Sequence, residues 1–309
     1  MENGIMSDWY IIINPKAGNL KALRVWKSLQ KDLQRANISY RSFMTQHPGH
    51  AEVLARQIST MQDDRLKRLL VIGGDGTVHE VLNGLVSLRD IQLSVIPSGL
   101  NNDFKRGFAV KKSNVIKEMK RKGQSLTRTY ALGSFHTKDS ENELYFANHL
   151  SLGFDACAVK KVTALPKWTA ALRLNHLIQP LIFFVTAFTF KPFVLSYENG
   201  DDKRTFKKIW FASVSNHPYY GGDMKIAPNA NPRDEFLDVI IIEDRSVLKK
   251  AGLLFAMIFG KHIGKNGVTA FKTKEIYFHT NERVLFQVGW RGDTAGRPFS
   301  LKQGQNPFG

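Results

Sequence analysis

The segment Leu69–Leu85, LLVIGGDGTVHEVLNGL, limits what this chain can fold into more than any other. Leu69 to Ile72 is a short apolar run that meets Gly73-Gly74, the pattern of a buried strand ending in a turn. After Thr77 the apolar residues fall at Val78, Val81, Leu82 and Leu85, the spacing of a helix with one buried face. The glycines therefore stand where a strand passes into a helix N-terminus. There the first helical N–H groups lack backbone partners and the helix dipole adds partial positive charge. Glycine lets that backbone come close to an anion, so a phosphate suits the turn. Gly-Gly-Asp-Gly is also ordinary tight-turn chemistry, and this stretch alone leaves both readings open.

The flanking sequence extends the pattern. WYIII is a strand entering a turn, and LKALRVWKSLQKDLQRA has helical spacing at Leu23, Trp26, Leu29 and Leu33. ISYRSFMT is strand-like, HAEVLARQISTM carries Leu54, Ile58 and Met61 on one face, and IQLSVI and SNVIKEMKRK follow the glycine turn. Strands alternating with helices at this pace predict a parallel sheet with helices on its faces. In such sheets ligands bind beyond the carboxyl ends of the strands, the edge to which the loops NPKAG, GGDGT and PSGLNND belong. After about residue 125 the character changes. GSFHTKDSENE (133–143) reads as a polar loop, and LYFANHLSLG, FVLSYE, KIWFASVSN, FLDVIII, EIYFHT and RVLFQVGW read as strands of an antiparallel sheet. The expected fold is an α/β, Rossmann-like parallel-sheet domain over residues 1–130, then a β-sandwich domain with a few helices over 131–309. The last residues of the chain are allowed a return to the first domain. A chain of 309 residues is long enough for two such cores.

Charge speaks about partners. Lys and Arg number 44 against 27 Asp and Glu, a net +17, which favours anionic lipid headgroups, nucleic acid or phosphorylated substrates. The basic residues lie in small scattered clusters such as KKSNVIKEMKRK (111–122) and KRTFKK (203–208), and neither zinc-finger spacing nor an RNA-binding aromatic signature is present. Cys157 is the sole cysteine, so no intramolecular disulfide can form, in keeping with a reducing cytosol. WYIII is too short and lacks the basic leader of a signal peptide. In LRLNHLIQPLIFFVTAFTFKPFV (172–194) uncharged residues run only from Leu177 to Phe190, short of the ~20 that a spanning helix needs. That segment and LLFAMIFG (253–260) read as core helices or as surfaces that touch a bilayer.

Four motifs in order resemble the bacterial diacylglycerol kinase-type lipid kinases, relatives of sphingosine kinases and more distantly of NAD kinases. Asn14-Pro15-Lys16-Ala17-Gly18 is similar to the family's N-P-x-x-G, and Gly73–Thr77 with Glu80 and Asn83-Gly84 to its G-G-D-G-T segment. PSGLNNDFKRG resembles P-x-G-T-x-N-D-F-A-R, and YYGGDMKIAPNANPRDEFLDV resembles the G-G-G-x-x-x-A-P segment with its following D-G-x-L-D-V. The resemblance implies transfer of the γ-phosphoryl group of ATP to a lipid hydroxyl such as that of diacylglycerol. It implies that Asn14, Pro15, Lys16, Ala17, Gly18, Thr45, Gly74, Asp75, Gly76, Thr77, Val78, His79, Glu80, Leu100 and Asp103 line the nucleotide site. Asp75 would help hold a catalytic Mg²⁺, which as a hard cation bridging phosphates takes oxygen ligands. Asp103 would lie near the same network, a helix N-cap being its alternative role.

A second, structural Mg²⁺ is implied in the β domain, on Asp234 and the backbone carbonyls of Asn231 and Phe236. There Glu235 replaces the family's glycine. The proton of the lipid hydroxyl needs an acceptor, and aligning QVGWRGDTAGRPFSL on Gly292 and Pro298 puts Asp293 in that place, with Arg291 where the family has an aspartate. Leu100 replaces a threonine whose hydroxyl would reach the nucleotide phosphates. These departures keep a catalytically silent nucleotide- or lipid-binding protein in view, and an NAD kinase-like enzyme is the other alternative. The implied setting is cytoplasmic, peripheral at an anionic membrane face, with ATP and a lipid as partners and no nucleic acid.

Overall fold

The computed structural model describes residues 9–61, 67–85, 91–99, 112–120, 130–137, 140–166, 169, 175–221, 224–288, 291–295 and 299–303. The chain divides into two compact units that meet in sequence between Thr129 and Tyr130.

The first unit runs β1 (Trp9–Ile13), α1 (Ala17–Arg35), β2 (Arg41–Met44), α2 (His50–Thr60), β3 (Lys67–Gly73), α3 (Asp75–Gly84), β4 (Ile91–Pro97) and α4 (Lys112–Lys120). Its four strands are all parallel, in the order β2-β1-β3-β4. β1 is buried along its whole length, as a strand with both faces covered must be. Strand side chains alternate between faces, and one face of β1 and β3 (Ile11, Ile13, Leu70, Ile72) packs with Trp26, Leu29 and Leu33 of α1 and Val115 and Met119 of α4. The other face takes α2 and α3, which press together so closely that a Cβ on Gly84 would lie 2.1 Å from the Glu52 carbonyl oxygen. Val78, Val81, Leu82 and Leu85, the apolar stripe after the glycine turn, are all buried.

The second unit adds β5 (Gly133–Thr137), β6 (Ser140–Phe146), β7 (His149–Gly153), α5 (Phe154–Thr163), α6 (Asn175–Thr189), β8 (Phe193–Asn199), β9 (Asp202–Ser215) and β10 (Leu237–Glu243). It ends with α7 (Val247–Ile258), β11 (Val268–Thr273), β12 (Glu275–Thr280), β13 (Val284–Val288), β14 (Arg291–Ala295) and β15 (Phe299–Gln303). The eleven strands form one antiparallel ladder, β14-β13-β7-β9-β8-β12-β15-β5-β6, with β10 and β11 branching from β9. The ladder closes over its own core. β13 and β5 stand far apart in strand order, yet Phe286 and Phe135 meet edge-on at 5.8 Å between ring centres. β9 makes the bend possible: its first half is largely exposed and pairs with β8, while its second half is buried between β7 and β10. The result is the sandwich-like second domain expected from the spacing of the strands.

One expectation is corrected. Residues 133–143 are not a polar loop but the β5–β6 hairpin, paired from Gly133↔Phe146 to Thr137↔Ser140. β6 forms an edge of the sheet, where a strand needs little apolar side chain, so polarity misled the reading.

Candidate functional site

Because all four strands of the first unit are parallel, their carboxyl ends fall on one edge. With order β2-β1-β3-β4 the chain reverses its winding between β1 and β3, the place where such sheets bind ligands. The loops that leave these ends are tied to one another. The Asn14 amide Nδ2 donates to the Thr77 hydroxyl at 3.0 Å, bridging the ends of β1 and β3, while its Oδ1 accepts from the Lys16 amide at 3.2 Å. The Ser98 amide donates to the Gly73 carbonyl at 2.7 Å, joining the ends of β4 and β3. Gly18 sits against the third loop: a Cβ there would lie 2.1 Å from the Ser98 carbonyl oxygen, and its φ of +57° favours glycine in any case. A Cβ on Gly74 would stand 3.0 Å from Gly99 Cα. Thr45, at the end of β2, is buried and donates its amide to the Ile13 carbonyl at 2.8 Å.

The start of α1 carries strain at the same edge. Gly18, Asn19 and Leu20 have φ of 57°, 53° and 65°, and a left-handed non-glycine residue costs roughly 1–2 kcal/mol. Strain of this kind persists where the surrounding structure holds it in place.

At the glycine turn the donors are distributed unevenly. The Thr77 and Val78 amides turn back onto the Gly74 carbonyl at 3.0 and 3.1 Å, whereas the Gly76 amide has no backbone partner among the described residues. Gly76 also borders open space, since a Cβ on it would meet nothing within 4 Å. Asp75 is the first residue of α3 and is buried beside it. The Thr77 hydroxyl, accepting from Asn14, keeps its own hydrogen for another acceptor. An open amide, a hydroxyl and a helix N-terminus together suit an anion.

The remaining expected lining residues make the following contacts. Val78 is fully buried in the core, and the half-buried His79 lies against Asn83, whose Nδ2 donates to the His79 carbonyl at 2.9 Å. Glu80 Oε2 accepts the Ala51 amide at 3.2 Å, capping α2. Pro15 and Lys16 form the turn between β1 and α1, and Ala17, which opens α1, donates its amide to the Asn14 carbonyl at 3.1 Å. Leu100 and Asp103 lie outside the described residues. So does the Asp293 side chain, although its backbone is placed on β14 opposite Phe286.

In the second unit the Asn231–Phe236 loop is a tight turn. The Asp234 amide donates to the Asn231 carbonyl at 3.1 Å, and Asp234 Oδ1 accepts from the Phe236 amide at 3.1 Å. Its Oδ2 receives the Lys272 ammonium at 2.5 Å. Lys272 faces Asp238 across the β10–β11 ladder and stands 3.7 Å from that carboxylate as well. Glu235 has φ +58° and directs its carboxylate toward Lys274 at 3.8 Å. So arranged, the loop does not fit a magnesium ion. Both Asp234 oxygens are engaged, and an ammonium lies against the oxygen that a metal would need at about 2.0–2.1 Å.

Sequence reasoning missed a buried polar centre in this unit. Asp155, wholly buried at the start of α5, accepts from Ser151 and, at 2.8 Å, from the Tyr220 hydroxyl. Burial pushes its carboxyl above the usual range. The His149 ring packs edge-on against Tyr220 at 4.3 Å, and neither of its nitrogens has a hydrogen-bond partner among the described residues. Burial, with the neighbouring His217, lowers its pKa to about 3. The signal available in sequence was slight: an aspartate directly after the apolar strand HLSLGF.

Comparison with known proteins follows both units. The diacylglycerol kinase catalytic domain matches residues 8–135, and the YegS C-terminal NAD kinase beta sandwich-like domain matches residues 148–299. The Bacillus subtilis (strain 168) protein named "Putative lipid kinase YtlR" is 50% identical over 307 residues, covering 98% of this chain and 99% of that protein. A diacylglycerol kinase of the same organism is 22% identical over 290 residues, covering 93% and 89%. Human sphingosine kinase 1 is 33% identical over 99 residues, 30% of this chain and 25% of that one. The crystal structure of a diacylglycerol kinase from Bacillus anthracis str. Sterne aligns with TM-score 0.65 at 19% identity, over 98% of this chain and 95% of that one, a likeness of fold.

Proposed function

Because the chain belongs to the diacylglycerol kinase-type lipid kinases, we propose that it transfers the γ-phosphoryl group of ATP to the hydroxyl of a lipid such as diacylglycerol. The observation that carries this reading is the linkage of three loops around the open Gly76 amide. Phosphates bound there receive the Gly76 N–H, the Thr77 hydroxyl and the field of the α3 N-terminus. The buried Asp75 carboxylate beside them suits Mg²⁺, which is bound by one or two carboxylates together with substrate phosphates. When bound, that ion neutralises charge on the phosphoryl oxygens. Asp293 is the proposed acceptor of the lipid hydroxyl proton, on the strength of the resemblance at Gly292 and Pro298.

The membrane part of the proposal is supported by two helices of the second unit. The inner faces of α6 and α7 share one core cluster through Phe183, Ala187, Leu253, Leu254 and Met257. Their outer faces are apolar too: Leu177, Leu181, Phe184 and Val185 form an exposed stripe on α6, and Leu248, Phe255 and Phe259 another on and just after α7, with Leu248 85% exposed. No helix among the described residues is long and apolar enough to cross a membrane. Such faces on a chain of net charge +17 suit the surface of an anionic bilayer, where a lipid substrate resides.

The test is a panel of diacylglycerol, monoacylglycerol, ceramide and a sphingoid base, offered in anionic vesicles with labelled ATP and Mg²⁺. Wild type should label at least one lipid, and Asp75→Asn and Asp293→Asn should each lose about 10²-fold or more of that turnover. ATP binding without transfer to any lipid would instead favour a silent binder, the reading that Leu100 and Arg291 leave standing.

A further inference from the structure

The lipid kinase resemblance implies a divalent cation at the Asn231–Phe236 loop, and the structure puts a lysine there. We infer that the Lys272 ammonium is the resident cation of this loop, so that the second unit holds its fold without a metal. Three observations converge on it.

First, the position is built into the backbone. β10 and β11 pair with Asp238 opposite Lys272, so the ladder itself delivers the lysine to that carboxylate. Asp238 is nearly buried and Asp234 partly so, which gives both need of a neighbouring positive charge. Second, the ammonium is shared. It donates to Asp234 Oδ2 at 2.5 Å and stands 3.7 Å from Asp238 Oδ2, an oxygen with no hydrogen-bond partner among the described residues. One cation between two carboxylates from different segments is what a bridging metal would supply. Third, the loop's remaining features point away from a metal. The Glu235 carboxylate turns to Lys274, whose ammonium also lies 5.4 Å from the centre of the Phe236 ring. Two lysines of one strand and turn, Lys272 and Lys274, thus gather Asp234, Glu235, Asp238 and Phe236.

A lysine differs from a divalent ion in being covalently delivered. It brings a single positive charge and three donors, needs no ligand geometry, and cannot be removed by a chelator. The loop should therefore be indifferent to metal, whether or not the protein transfers phosphate. The experiment is thermal unfolding of the full chain without nucleotide, following the transition of the second unit, with metal analysis of the purified protein. Wild type should keep its midpoint within about 1 °C in EDTA and in millimolar Mg²⁺ or Ca²⁺, and should carry no stoichiometric metal. Lys272→Met, which keeps the aliphatic stem, should lower the midpoint by about 2–4 °C. In the Asp234→Asn background the same substitution should cost less, because one of the two charges it serves is gone. Millimolar divalent cation should raise the midpoint of Lys272→Met and not of wild type. A bound metal in wild type, a midpoint that falls with EDTA, a Lys272→Met variant as stable as wild type, or one that divalent cations cannot help would each overturn the inference.

Discussion

Gly76→Ala separates a turn that needs glycine for its shape from one that needs it for a ligand. Gly76 is the second residue of α3, does not have positive φ, and a Cβ on it would touch nothing within 4 Å. The folded chain therefore has room for the methyl group. Alanine loses less backbone entropy than glycine on folding, so the substitution should leave stability unchanged or raise it by up to about 1 kcal/mol. The expected effect on nucleotide has the opposite sign. Among the described residues the Gly76 amide has no backbone partner, whereas the Thr77 and Val78 amides are taken by the Gly74 carbonyl. A methyl beside that amide holds a phosphate oxygen off, and a hydrogen bond to a charged group is worth about 1.5–3 kcal/mol. That loss converts to one to two orders of magnitude in ATP affinity at about 1.4 kcal/mol per tenfold. Calorimetric titration of ATP gives the affinity, and thermal unfolding without nucleotide gives the stability. A Gly76→Ala protein that binds ATP within about twofold of wild type would refute the anion cradle, and one that unfolds early would refute the claim of open space.

Three further outcomes follow from the geometry. His149 has a folded pKa near 3 against an ordinary 6.5, so below pH 6.5 the unfolded state takes up a proton that the folded state refuses. Stability should fall by about 2 kcal/mol between pH 7 and pH 5 on this account, by denaturant titration, and the difference between wild type and His149→Phe should carry that slope; a parallel pH profile for the two would dismiss it. Glu235→Gly should raise the unfolding midpoint by about 2–4 °C, since it relieves φ +58° and gives up only an exposed pair with Lys274; a lower midpoint would show that the pair outweighs the strain. Leu181→Ser with Phe255→Ser, both on exposed faces, should weaken sedimentation with anionic vesicles several-fold while the midpoint holds, and unchanged sedimentation would free those helices of the membrane role.

What was legible in the sequence was what rests on period and punctuation. The alternation of short apolar runs with helical stripes is a local signal, and Val78, Val81, Leu82 and Leu85 are buried as their spacing demanded. The convergence of NPKAG, GGDGT and PSG follows from parallel strands alone, because every strand then ends on the same edge. The Asn14–Thr77 bond and the seating of Gly18 on Ser98 needed coordinates, since they join residues 63 and 80 positions apart. The polar β5–β6 hairpin was the weak point. β6 satisfies its backbone in the ladder although its first four residues are polar, so only its end, Leu144–Phe146, read as strand. The centre at Asp155 was invisible for a different reason: Ser151 is a local partner, but Tyr220 comes from 65 positions away and packs on His149 only in the folded sheet. The helix at 175–189 was ambiguous in sequence because it is apolar on both sides, one facing the core and the other open.

The glycines carry the last step of the argument. In the first unit Gly18, Gly73 and Gly74 each stand within about 3 Å of a neighbour that a Cβ would strike, so the folded loops themselves require them there. Gly76 is the exception in the same motif, bare without being crowded. Gly252 in α7 is equally open, so the space at Gly76 gains its meaning from its place at the α3 N-terminus, beside the tied loops. The second unit offers the contrasting case: at Glu235 the backbone turns left-handed, where glycine is favoured, and a glutamate stands there under strain. No ligand is needed to hold that loop, because Lys272 and Lys274 tie its carboxylates down. Among the described glycines of the NPKAG and GGDGT loops, Gly76 alone is glycine without the fold asking for it, whereas at Glu235 side chains hold a turn that favours glycine. That asymmetry supports the proposal that phosphate is bound at the α3 N-terminus and that the Asn231–Phe236 loop serves stability.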